Sequence, residues 1–539
     1  MTQVLRITGY ALFALCFSAQ AHLLSAQEPT PQRTERLAQP VVIVGDDHAP
    51  RDVFLRSTSS LTDAKRRSET GRPFVLFLPT VHLVSNSELP FGQNDGALWA
   101  GRGANIRALA GFGLTAGPLR LVVIPEITRS ANRDLSIDPT NPQFAPAIPE
   151  SRSVFSSPFN GHPYSLDLPW KMGSGTFTEF HPGQSSLTVS APSVEVGAAT
   201  ENEWWGPAIR NPLVMSDNAP GFPHLFLRTR GPLNTPLGRI DARWIVGGLE
   251  ESDWFDNDET NDVRSLSAVA LTWKLRESSP FTFGFTRAVF APADGYGDAM
   301  TSWLDAFRNT GHPNARATTD ATVTPGPDQI FSVFAHALVP SYGFETYIEW
   351  ARADFPVSLR DFLEDPIHSR GYTAGVQWTR PVSAGASLRA QGEITSVEQS
   401  TTYRFRQQGS FYSSRAVIQG YTNRGQLLGS GLGPGSSGAW LAGDLIAGGW
   451  QAGLTWSRVR FNNDAFFLLP HATRCGHDVT VAPGARASFT TSRIRVGASL
   501  SFANRYNTFF QNKSSCEDGG NGSDRSNTNF SITLAALGF

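Results

Sequence analysis

Lysine is almost missing from this chain: among 45 basic residues only Lys65, Lys171, Lys274 and Lys513 are not arginine. Charge of either sign is sparse, at 17% of 539 residues, where an ordinary globular protein carries about 25%. The net charge of -2 leaves no concentrated basic surface, which excludes nucleic acid as an expected partner. Beyond residue 21 no run of 18 uninterrupted apolar residues occurs, so helical membrane spans are excluded. Gly-x-Ser-x-Gly and His-Glu-x-x-His are both absent. That argues against a hydrolase, and no motif calls for a cofactor or a metal.

Cysteine is scarce as well, at Cys16, Cys475 and Cys516. Residues 1–21 hold Arg6, an apolar run from Tyr10 to Phe17 and then Ala19-Gln-Ala21, the order of a cleavable secretory signal. Leu15 is too bulky for a typical lipoprotein site before Cys16, so the mature chain is expected to be released without a lipid anchor. Export takes it along an oxidising route. Cys475 and Cys516 are candidates for a disulfide there, the alternative being two free thiols in loops.

What is present is a period of two. Ile494, Val496, Ala498, Leu500 and Phe502 alternate with Arg495, Gly497, Ser499 and Ser501. Leu388, Ala390, Gly392 and Ile394 alternate with Arg389, Gln391, Glu393 and Thr395, and Phe344, Thr346, Ile348 and Trp350 with Glu345, Tyr347 and Glu349. A soluble sandwich alternates too. Long strands, aromatic residues near their ends, and turns that alternate between short and long instead predict a transmembrane antiparallel β-barrel, all-β in class. The chain also closes on Phe539 after an alternating segment, resembling the signal by which the barrel-assembly machinery selects outer-membrane barrels.

Counting back from a last strand at 527–539 gives strands near 493–507, 480–490, 449–462, 437–448, 385–398, 370–381, 343–353, 328–339, 280–290, 264–276, 237–250 and 223–230. Those near 193–200, 184–191, 118–129, 103–114 and 73–84 bring the total to about 18, with both ends periplasmic and the long loops on one side. Residues 22–71 lack the alternation and read as a short periplasmic extension, with Thr62 able to cap a brief helix. The barrel is expected over 72–539, surrounded by outer-membrane lipid, as a monomer.

Three segments break the wall pattern: Leu89 to Gly103, Glu201-Asn-Glu-Trp-Trp-Gly-Pro207 with Met215-Ser-Asp-Asn-Ala-Pro220, and Gly420 to Ser430. Together they resemble the capsule assembly protein Wzi family over roughly 72–539, most specifically between Gly183 and Glu250. The resemblance implies an outer-membrane barrel that binds capsular polysaccharide at the cell surface and assists capsule attachment, without catalysis. As segments that do not read as wall, the three are expected to belong to extracellular loops folded into the barrel.

Read for chemistry, Trp204 and Trp205 offer apolar faces for sugar stacking, and Asn202, Glu203, Asp217 and Asn218 offer groups for hydroxyls. The other reading has this segment packing an inward loop that plugs the barrel. Trp99 with Arg102, and Tyr421 with Asn423 and Arg424, are further candidates for the same two roles. Arg243, Arg389, Arg493 and Arg495 fall on polar strand faces and are expected to line the lumen, attracting an anionic chain or pairing with Glu345, Glu349 and Glu393. The acidic run from Asp253 to Asp262 lacks the spacing of a calcium loop and reads as a solvated external loop. Polar strand faces also suit a porin or uptake channel, the rival function.

Overall fold

The computed structural model describes residues 73–136, 166–255, 260–308, 326–356, 358–406, 408–468, 476–510 and 523–536. The secretory signal at 1–21, the extension at 22–71, Cys475, Cys516 and Phe539 lie outside the described residues, as does much of the acidic run, at 256–259.

The chain crosses the membrane with strands. Twenty-one hydrogen-bonded segments make one sheet of eighteen passes, because three passes are each broken in two. In chain order they are β1 (Phe74–Asn86), β2 (Gly103–Ala116), β3 (Leu119–Val123 and Glu126–Ser130) and β4 (Phe177–His181 and Ser186–Ser190). Next come β5 (Val194–Ala199), β6 (His224–Thr229 and Leu233–Thr235), β7 (Gly238–Glu250), β8 (Val263–Lys274) and β9 (Phe281–Ala293). Then follow β10 (Asp328–Val339), β11 (Phe344–Ala353), β12 (Arg370–Ser383), β13 (Ala386–Ser396) and β14 (Ser437–Ala447). The last are β15 (Trp450–Phe461), β16 (Asp478–Thr490), β17 (Ile494–Tyr506) and β18 (Arg525–Ala536). Thr80 to Asn86 pair antiparallel with Asn529 to Ala535, which closes the barrel and leaves no free edge.

Each broken pass carries a proline at its break: Pro125 in β3, Pro182 in β4 and Pro232 in β6. Proline has no N–H to give a ladder, so it stops pairing where it falls. Pro79 does the same on a smaller scale, in the irregularity between Phe77 and Thr80 of β1. The alternation predicts only 184–191 for the fourth pass. Its first half, Phe177–His181, was not foreseen, because Pro182 separates it from the rest.

The period of two sorts side chains as a membrane requires. Leu454 is 72% exposed and Ile394 53%, facing outward, whereas Arg389, Gln391, Glu393 and Thr395 between them are buried. The exception is β7 to β11, whose inward residues Ile245, Leu249, Leu266, Phe290 and Ile330 are apolar and buried. Loop residues Leu213, Met215, Phe222, Tyr412, Tyr421 and Leu428 pack against them, so this half of the lumen has a hydrophobic core of its own.

Two other external loops fold over the outer face instead. Trp303 lies against Trp244 with ring centroids 5.7 Å apart, and Phe362 meets Trp350 at 6.1 Å. Trp244 and Trp350 are the outward neighbours of the inward Arg243 and Glu349. These covers leave small polar residues such as Ser265 and Ser267 on the outer wall buried. Ser267 accepts from the Ala306 amide at 3.1 Å and donates to the Trp303 carbonyl at 3.1 Å.

Candidate functional site

The plug is held by lumenal carboxylates. Glu393 on β13 accepts from the backbone amides of Ile209 (2.6 Å), Arg210 (3.0 Å) and Asn211 (2.9 Å), from the Asn211 side chain (3.0 Å) and from the Tyr347 hydroxyl (2.7 Å). Glu349 on β11 accepts from the Leu213 amide at 3.3 Å. Glu345 is engaged by His336 at 3.0 Å. Pairing with the lumenal arginines, one of the alternatives read from sequence, is corrected for Glu393 and Glu349, which receive backbone amides of the loop at 206–213.

The arginines find other partners. Arg243 pairs with Glu203 and, at 3.1 Å, with Glu201, both on the plug segment. Arg389 pairs with Asp444 at 3.0 Å across β13 and β14. Arg495 is buried on the inward face of β17. Arg493 is a correction, since β17 begins only at Ile494 and Arg493 stands exposed in the short turn before it, at the periplasmic rim.

The tandem tryptophans offer no face to a ligand. Trp204 is 4% exposed and Trp205 0%. The Trp205 indole donates to Glu203 at 2.9 Å, and its amide donates to the Met215 carbonyl at 3.1 Å. Of the two roles read for this pair from sequence, burial places it in the packed plug. Asn202 is also spent on structure, donating to the Ala219 carbonyl and accepting from Gln184, each at 2.6 Å. Asp217 is buried, and its carbonyl accepts from the Gly96 amide at 2.8 Å.

Tyr421 is fully buried and stacks on Tyr412 at 6.2 Å, and burial pushes its phenol well above the usual range. Asn423 donates to the Pro220 carbonyl at 3.1 Å and accepts from the Glu250 amide at 2.9 Å. Arg424 donates to Glu250 at 2.5 Å and lines a small external cleft of about 80 Å³ with Trp99 and Trp254. Arg102 pairs with Glu88 at 3.1 Å. A wall arginine that the sequence reading passed over, Arg264, fastens this part of the plug by donating to the carbonyls of Gly420 (3.0 Å) and Glu250 (2.6 Å).

The other half of the lumen is hollow. A cavity of about 450 Å³ lies between the plug and the wall formed by β14 to β18 and β1. Of the candidate site and lumenal residues singled out from sequence, Trp99, Asn218 and Glu393 reach it. Its wall comprises inward residues that carry no motif: Trp440, Ser457, Thr480, Arg486, Ser501, Arg505 and Asn529 among them. Strand parity alone could have indicated them. Arg210 crosses from the plug to lie over the Trp440 ring at 4.7 Å, with Arg486 over the same ring at 5.4 Å. Burial lowers the Arg210 guanidinium to about 10, against the opposing pull of Glu393 and Asp95. Among the described residues no group of three or more metal-ligating side chains occurs.

An eighteen-pass closed barrel, half filled by its own long loops and with a polar cavity beside them, defines a plugged outer-membrane β-barrel. The family model for capsule assembly protein Wzi matches residues 164–442, more than half of the chain, and the protein belongs to that family. The match contains the inward loop and both glutamates that hold it.

Among solved structures the chain is similar to Wzi of Escherichia coli, an outer-membrane protein involved in group 1 capsule assembly and a carbohydrate-binding β-barrel. Identity is 11%, the TM-score 0.54, and the likeness covers 95% of this chain and 99% of that one, which establishes the fold. Acinetobacter baumannii OccAB2 is more distant, with 9% identity, a TM-score of 0.41 and 86% and 98% of the two chains covered. No curated protein matches the sequence.

Proposed function

We propose that this protein binds capsular polysaccharide at the cell surface and assists its attachment and assembly into a capsule, without catalysing a reaction. The observation that carries the proposal is the lumenal cavity: it pairs hydroxyl and amide side chains with apolar faces, the combination that sugar rings and their hydroxyls require. Family membership supports the same reading. We read the chain as a monomer, a reading supported by its own eighteen passes closing the barrel without a second copy. The barrel-assembly machinery inserts it, guided by the terminal strand.

Deleting the gene in the native organism, with capsule imaging and assay of polysaccharide released to the medium, tests the proposal. The expected result is continued synthesis with loss of cell-attached polymer. A normal attached capsule would overturn it.

A further inference from the structure

The cavity walls carry charge, and each charged group already has a partner in the wall or the plug. Three arginines line the space, Arg210, Arg486 and Arg505. Arg505 grips Asp478 through two hydrogen bonds of 2.7 and 2.6 Å. Arg486 donates to Asp444 at 2.7 and 2.9 Å and to Gln391 at 2.7 Å, while Arg210 donates to Gln93 and lies over Trp440.

The carboxylates are equally occupied. Asp478 also accepts from the Phe509 amide at 2.9 Å, Glu393 is filled by the plug, and Asp95 accepts from His82 at 3.1 Å and from the Gln93 amide at 2.9 Å. Among the described residues no lysine lines the space. Bidentate arginine–carboxylate pairs are among the strongest polar contacts a protein makes. An anionic ligand at Arg486 or Arg505 would have to break such a pair and leave its partner charge buried, which is costly, and at Arg210 it would have to displace Gln93 and approach the carboxylates of Glu393 and Asp95.

What remains available is hydroxyl. Ser457 on β15, Thr480 on β16 and Ser501 on β17 face the cavity from three successive strands, and among the described residues none of their three side-chain hydroxyls has a hydrogen-bond partner. Trp99 and Leu432 supply apolar surface from the loops opposite. The volume of about 450 Å³ falls within the range of roughly 300–1,000 Å³ typical of sites that enclose small ligands.

We infer that this cavity is a binding site for uncharged glycosyl residues, which it recognises through the free hydroxyls of Ser457, Thr480 and Ser501 and not through ion pairs. The inference rests on the polysaccharide-binding reading above and names the ligand class of that site. It reverses the expectation that an arginine-rich lumen attracts an acidic chain: the arginines brace the wall and the plug.

The test uses the full-length barrel in detergent micelles, titrated with fragments of polysaccharide from the native cell surface, intact and after chemical reduction of every carboxylate to an alcohol. Affinity is expected to change less than twofold on reduction and less than twofold between 50 and 500 mM NaCl. The triple variant Ser457→Val, Thr480→Val, Ser501→Val is expected to lose at least tenfold in affinity while its heat-dependent gel migration still reports a folded barrel.

A tenfold or larger loss of affinity on carboxylate reduction, or a steep salt dependence, overturns the inference while leaving polysaccharide binding intact. Unchanged affinity in the folded triple variant overturns it too. Absence of binding to either form removes both the inference and the reading beneath it.

Discussion

Glu393 does the work of a latch at the scale of a single residue. Its two oxygens gather three consecutive backbone amides from residues 209–211, so removing the charge leaves buried donors without acceptors. Each such donor costs about 1–3 kcal/mol. Glu393→Leu is expected to raise amide hydrogen exchange across 206–213 by two orders of magnitude or more, while Glu393→Gln, which keeps one good acceptor, has a smaller effect. Asp464 gives a pH dependence in a different loop. Burial lifts its carboxyl to about 7, against the Gln399 amide, which donates to it at 2.8 Å, and with Glu398 adding to the rise. An unfolded aspartate ionises near 3.9. Its contribution to stability is thus fully present below about 4 and is lost as pH rises through about 7. Exchange at the Gln399 amide, corrected for its intrinsic rate, should increase between pH 5 and pH 8, and Asp464→Asn should flatten that profile.

Elements show why alternation was such a good guide to the wall and a poor one to the loops. A strand with lipid on one face and a lumen on the other sorts its side chains by parity, so β11, β13 and β17 were legible residue by residue. Where a loop covers one face, the contrast fades: β8 has apolar and small residues buried on both sides, under the plug within and under Trp303 and Ala306 without. The plug segment depends on a backbone shape that only glycine takes easily. Gly206 has φ of +102°, and a Cβ there would stand 3.0 Å from a Glu349 oxygen. Gly206→Val should destabilise the seated loop by about 1–3 kcal/mol, seen as faster proteolysis after residue 206 in an otherwise intact barrel.

Across the whole molecule, one half of the lumen is core and the other is site. The loops at 201–222 and 411–432 fill the side lined by β7 to β13, and the cavity runs along β14 to β18. A barrel braced in this way is expected to pass little current in planar bilayers, and deleting residues 411–431 should produce steady open events. A large open conductance in the intact protein would favour the uptake-channel alternative over an anchor for polysaccharide.

Sequence by itself determined the number of passes and, the first half of β4 apart, most of their boundaries to within a few residues, because lipid and water impose a period that any single strand must obey. It also pointed to the segment from Glu201 to Pro207 as something other than wall. Only the tertiary structure decided what that segment does. Trp205 and Glu203 became plug, Arg493 fell in a turn, and Trp440, Ser457 and Arg505 became lining without any motif to announce them. The reason is physical: which lumenal charge meets which partner depends on residues far apart in the chain, as Arg210 and Glu393 are, and strand parity says which way a side chain points but not what waits there.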